Sequence, residues 1–327
     1  MVARDSLLGR QDRFIAVSPL LLSPKGFGTF KVYIKQGSRY VLYATENERF
    51  TSKHRQALFD RGIDTIYVEA DQVRDFYAYR EKYLGRILND ESLPLEERNK
   101  VMIDTSMDIM ETVFCNSMPI GLDGAAFSRV THFAEESLTL LKKKDSLKYI
   151  KSLLSHDYKS FSHSVQVFVY TTTVLSNMGL PDDLILQTSI GSLLHDIGKV
   201  AIDPAILQKP GPLTKPERRQ IETHPIKGVG LCANQHLSTA AMQCILAHHE
   251  RMCGGGYPSG VKGEDIPLHV RAVTIADIYD ALTTNRVYAE ALSPYEALKV
   301  MRDEIRDRLD NHIFRAFVLM LSGAKIV

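Results

Sequence analysis

"SLLHDIGKV", residues 192–200, sets His195 beside Asp196 at the end of an apolar helical run. Ile190, Leu193, Leu194 and Ile197 share one stripe at helical spacing, and Gly198 reads as the stop signal. A carboxylate in such a stripe is costly unless a cation or hydrogen bonds compensate it. The stretch therefore predicts a helical core with one of two devices. Either the pair caps or pairs locally, the usual fate of an isolated His–Asp, or it binds metal with Lys199 one turn away. The rest of the chain separates the two.

Seven ligand-type residues gather in the same half: His163, His195, Asp196, His224, His248, His249 and Asp277. Each sits in or beside an apolar helical run. His163 precedes "SVQVFVYTTTVL", His248 and His249 close "AAMQCILAHHE", and Asp277 lies in "RAVTIADIYDAL". A lone histidine on an apolar helix is usually a satisfied core residue, whereas two adjacent buried imidazoles need two sets of partners. Imidazole and carboxylate without cysteine suit iron, manganese, nickel or zinc in a hydrolytic site. Asp196 carries two oxygens and can bridge two ions. Two ions roughly 3.5–4 Å apart activate water and polarise a phosphoryl oxygen.

The motifs "HDIGKVAIDPAILQKPGPLT" (195–214), "HPIKG" (224–228), "HHERMCGGGYPSGVKGEDIPL" (248–268) and "IADIYDALTTNRVY" (275–288) follow in one order and spacing. On them, residues 150–322 resemble the HD-GYP family of cyclic dinucleotide phosphodiesterases, a branch of the HD hydrolases. The resemblance implies a mainly α chain with an all-helical HD-type hydrolase domain over 151–327. It implies two divalent ions, iron or manganese before nickel or zinc. His163, His195, Asp196 and Asp277 would hold one, and His224, His248 and His249 the other, with Asp196 between them. Lys199 would contact the scissile phosphate, and Tyr257 and Arg286 the dinucleotide. The implied reaction is hydrolysis of cyclic di-GMP to linear pGpG or, after a second cut, GMP. Two alternatives stay open: another substrate such as cyclic GMP–AMP, and a degenerate receptor that binds a dinucleotide or a partner protein without cutting.

The chain departs from the family pattern in three places. Cys253 replaces an aspartate able to brace the glycine loop, and Ala289 replaces a basic residue after the "RVY" triplet. Some members carry a glutamate four residues before the first histidine ligand, which helps to hold a third ion. Lys159 stands there, one helical turn before His163, and Asp157 is off that face. An ammonium has no lone pair to offer, so two ions are expected. By itself "GGGYPSG" reads as a flexible loop; after "HHE" it reads as part of the site.

The remaining sequence bounds the setting. A chain of 327 residues is long enough for two or three cores, and 44% hydrophobic with 24% charged residues is ordinary globular usage. A net charge of +1 gives no bulk argument for a nucleic acid polymer or a membrane surface as partner. Four cysteines without C-x-x-C spacing suggest reduced thiols. "MVARDSLLGRQDRF" has no signal-peptide apolar core, and no run reaches the ~18–20 residues that span a bilayer. The expected location is the cytoplasm, without membrane insertion.

Residues 1–70 read as a small mixed α/β regulatory domain. "TFKVYIK" and "RYVLYA" form a hairpin, "TSKHRQALFDRG" a helix with Thr51 or Ser52 as N-cap and Gly62 at C′, and "IDTIYVE" a further strand. Residues 71–150 read as a helical linker with Pro94 at a first helical position, a loop at "PIGLDGAAF" and a solvated face at Lys142–Lys144. The linker is the expected seat of a homodimer, and signalling proteins are expected among the partners.

Overall fold

The β-rich runs "VYIKQ", whose burial alternates at its start, and "RYVLYA" form the antiparallel hairpin β2 (Val32–Gln36) and β3 (Arg39–Ala44). Gly37 takes φ 61° at the first position of its two-residue turn. These are features of a computed structural model, which describes residues 13–23, 26, 28–116, 121–143, 145–148, 160–285 and 290–326. The chain divides into two compact units, Met1–Thr105 and Ser106–Val327.

In the first unit β1 (Phe14–Val17) and β4 (Ile66–Glu69) complete a four-stranded sheet in the order β1-β4-β2-β3, antiparallel throughout. Val32, Ile34, Ile66 and Val68 are buried on one face. Helix α1 (Ser52–Asp60) starts at Thr51, whose side chain accepts from the His54 N–H while His54 Nδ1 accepts from the Thr51 N–H. It ends before Gly62, at φ 66°. Helices α2 (Val73–Lys82) and α3 (Leu84–Leu88) follow, and Phe30 meets Phe76 and Tyr79 edge-on at 5.3 Å. Helix α4 (Leu95–Asn116) begins one residue after Pro94, whose carbonyl accepts from the Arg98 N–H.

In the second unit α5 (Gly124–Leu141) starts inside the expected loop, because the Asp123 carboxylate caps it through the Ala126 N–H. Helix α6 (Ser160–Asn177) is buried from Ser162 to Leu175, as a helix with apolar or small residues all round must be. It packs against α5, α7 (Asp182–Leu194), α12 (Leu268–Thr283) and α14 (Asn311–Gly323). Between α7 and α12 lie a 3-10 turn (Ile197–Ala201), α8 (Pro204–Leu207), α9 (Lys215–Ile221), α10 (His224–Leu231) and α11 (Thr239–Ala247). Helix α13 (Pro294–Asp303) precedes α14. The mainly α fold expected from the motifs is thus present, with the small sheet confined to residues 14–69.

Gly198 is not the stop signal. Helix α7 ends at Leu194, and Gly198 lies within the following 3-10 turn. A Cβ there would stand 1.9 Å from the His224 carbonyl oxygen and 2.5 Å from the Gly228 nitrogen. The glycine lets the turn that carries Asp196 lie directly on the helix that starts at His224.

Candidate metal centre

Four helices deliver the imidazoles. His163 comes from α6, His195 caps the end of α7, His224 opens α10, and His248 caps the end of α11 with His249 next to it. Asp196 follows His195, and Asp277 points in from α12. His163, His195, Asp196, His224 and His248 are each at most 1% exposed. The set comes together around Asp196. Its Oδ2 lies 3.6 Å from His163 Nε2 and 3.5 Å from His195 Nε2, while its Oδ1 lies 3.2 Å from His224 Nε2 and 3.9 Å from His248 Nε2. Asp277 stands between the two groups, Oδ1 at 3.1 Å from His163 Nε2 and Oδ2 at 3.7 Å from His249 Nδ1.

Backbone carbonyls aim the rings. Nδ1 of His195 lies 2.7 Å from the Ser192 oxygen, that of His224 2.8 Å from the Ile221 oxygen, and that of His248 3.0 Å from both the Cys244 and Ile245 oxygens. Donating there leaves the Nε2 lone pairs facing inward, where His163 and His195 approach to 3.3 Å and His224 and His248 to 3.2 Å.

Electrostatics favour the ligand forms. Burial lowers the pKa of His195, against the pull of Asp196. Burial and the neighbouring rings hold His248 well below the usual range, and burial takes His249 down to about 3 despite Asp277. Burial opposes the charge on Asp196, but Lys199 and His195 outweigh it and hold its pKa well below the carboxylate range. Asp277 is held low in the same way by His163 and His249. Neutral imidazoles and ionised carboxylates are the forms that bind divalent ions.

The residues fit such ions. Two groups place one donor atom per residue within 4.8 Å: Asp196, His224, His248 and His249, and His163, His195 and Asp196. Asp196 Oδ1 is buried without a well-formed hydrogen bond, and a cation, the Lys199 ammonium, already sits 2.5 Å from Oδ2. A nitrogen and oxygen set without sulfur suits the borderline divalent metals.

Tyr257 reaches the rim, its ring 4.6 Å from His249 and 6.2 Å from His224, and burial raises its phenol pKa so that it stays a donor. Arg286, Lys159, Asp157 and Ala289 lie outside the described residues. Sequence reasoning missed Glu250 and Asp280. Glu250 Oε1 accepts from the Ser259 and Gly260 N–H groups at 2.7 and 3.0 Å, which braces the glycine loop where Cys253, exposed, does not. Gly256 has no room for a Cβ, which would lie 2.5 Å from Glu250 Cα, so the loop is packed rather than merely flexible. Asp280 is fully buried, with Oδ2 2.6 Å from His163 Nδ1. Its sequence signal was a second carboxylate three residues after Asp277 in an otherwise apolar run.

This fold and cluster define the class. The HD domain family profile matches residues 148–313, just over half of the chain, and the chain belongs to that family. It is 36% identical over 185 residues to a cyclic di-GMP phosphodiesterase of Pseudomonas aeruginosa, covering 56% of this chain and 44% of that protein. It is 35% identical over 154 residues to 3′3′-cGAMP-specific phosphodiesterase 3 of Vibrio cholerae, covering 47% and 34%. The matched stretch therefore spans less than half of either relative. An HDG"Y"P protein of Bdellovibrio bacteriovorus shares the fold, with a TM-score of 0.65 and 18% identity over 95% of this chain and 100% of that one. Among the described residues no helix is long and apolar enough to cross a membrane.

Proposed function

We propose that this chain is a cytoplasmic, metal-dependent phosphodiesterase that hydrolyses a 3′–5′ linkage of cyclic di-GMP to linear pGpG or GMP. The observation that carries the reading is Asp196, a buried carboxylate with each oxygen turned to a different set of imidazoles. His163, His195, Asp196 and Asp277 would hold one ion, and His224, His248 and His249, with Asp196, the other. Two bound divalent ions, iron or manganese first, supply Lewis acidity toward the phosphoryl group and lower the pKa of water.

The chain's own groups do the rest. Asp196 and Asp277 keep the pocket anionic, and the carbonyl-tethered imidazoles keep their geometry without reorganising. Lys199, on the Asp196 oxygen, carries a charge to the non-bridging phosphate oxygens. Tyr257 offers a phenol donor and a ring face to the dinucleotide. Arg286 would add a second cation. Residues 1–70 would act as the regulatory domain and 71–150 as a linker through which a homodimer or a signalling partner biases turnover.

A second reading, cyclic GMP–AMP as substrate, is favoured by the name of the Vibrio cholerae relative. Turnover of both dinucleotides by one metal-loaded preparation separates the readings. The expected result is faster cleavage of cyclic di-GMP. Cleavage of the mixed dinucleotide alone reassigns the substrate, and binding of both without cleavage makes the chain a receptor.

A further inference from the structure

The imidazoles are not all held alike. His195 and His248 present Nδ1 to backbone carbonyl oxygens at the ends of the helices they cap, and His224 presents it to the carbonyl of Ile221, the last residue of α9. His163 presents Nδ1 to a carboxylate, Asp280 Oδ2, at 2.6 Å, across 117 residues of chain. Asp280 is 0% exposed, and its other oxygen has no hydrogen-bond partner among the described residues. A carboxylate in so dry a place needs a hydrogen-bonding partner, and His163 Nδ1 faces it.

The consequence falls on one side of the site. A carboxylate behind a ligating imidazole fixes the ring's tautomer and makes Nε2 a better donor, which a carbonyl does more weakly. His163 Nε2 faces Asp277, His195 and one oxygen of Asp196. His224 and His248 face the other oxygen and have backbone carbonyls behind them. We infer that Asp280 is a positioning residue which, through His163, strengthens divalent-ion binding at the His163–His195 position and not at the His224–His248–His249 position. The two positions are then unequal by construction, and Asp280 sets the difference. This inference rests on the metal centre proposed above.

Titration of the metal-stripped whole chain with Mn²⁺ by calorimetry tests it, using wild type, Asp280→Asn and Asp280→Ala. The wild type should bind in two resolved steps. Both variants should weaken one step by about 10- to 100-fold and leave the other unchanged, the usual effect of removing a partner behind a metal-binding histidine. Because both constants come from one titration, their ratio is insensitive to a partly unfolded fraction, and the near-isosteric Asn variant guards against misfolding of the Ala protein. An Asp280→Asn protein that titrates like the wild type overturns the assignment, and so does equal weakening of both steps, which marks a merely structural role. In either case the metal centre itself stands. A wild type that binds no Mn²⁺ removes the centre and this inference together.

Discussion

Asp196→Ala should lose bound metal and turnover together. Both oxygens of this carboxylate face imidazole nitrogens, at 3.2 to 3.9 Å, on opposite sides. Removing it takes away the one anionic group common to both ligand sets and leaves five mostly buried imidazoles around a void. Neutral rings alone attract a dication less than rings with a carboxylate among them. The loss of affinity should exceed the ~10–100-fold that follows removal of a partner behind a ligand, because here the ligand itself goes. Elemental analysis and a turnover assay on the same sample read both effects. Two tightly held ions in Asp196→Ala would refute the bridging role.

Lys199→Ala should separate what Asp196→Ala joins. The ammonium lies 2.5 Å from Asp196 Oδ2 and touches the centre through that oxygen. With a divalent ion held on that oxygen, the Lys199 ammonium would be displaced from it and free to meet the substrate phosphate. The variant therefore loses a competing cation rather than a ligand, and metal content should stay at the wild-type level. Turnover should fall about ten- to a hundredfold, the size of one charge-assisted contact of roughly 1.5–3 kcal/mol. Loss of metal along with turnover would give Lys199 a structural duty instead.

The buried cluster of histidines and acids was legible in the sequence because such residues are out of place in runs such as "SLLHDIGKV" and "RAVTIADIYDAL". The β2–β3 hairpin and α1 were legible from local chemistry: β-rich runs, a turn glycine, a threonine cap and a C′ glycine. What escaped is non-local. Strand β1 has four residues and pairs with β4, more than forty residues on, so its own stretch carries little pattern. Gly198 looked like a helix stop, but it is small because α10 crosses it. Asp280 reaches a histidine 117 residues away, and Glu250 holds N–H groups nine and ten residues on in a loop whose path the sequence does not state. Spacing along one element reveals which residues share a face; it does not reveal which element lies opposite.

Cleavage of a cyclic dinucleotide should depend on ions held by this cluster. The direct measurement strips the whole chain with a chelator, restores Mn²⁺ or, without oxygen, Fe²⁺ in steps, and follows linear product from cyclic di-GMP and cyclic GMP–AMP against metal content. Stripped protein should give no product, and turnover should become full as content approaches two ions per chain. Bound dinucleotide with no linear product at any metal content, or full cleavage by the stripped protein, would contradict it.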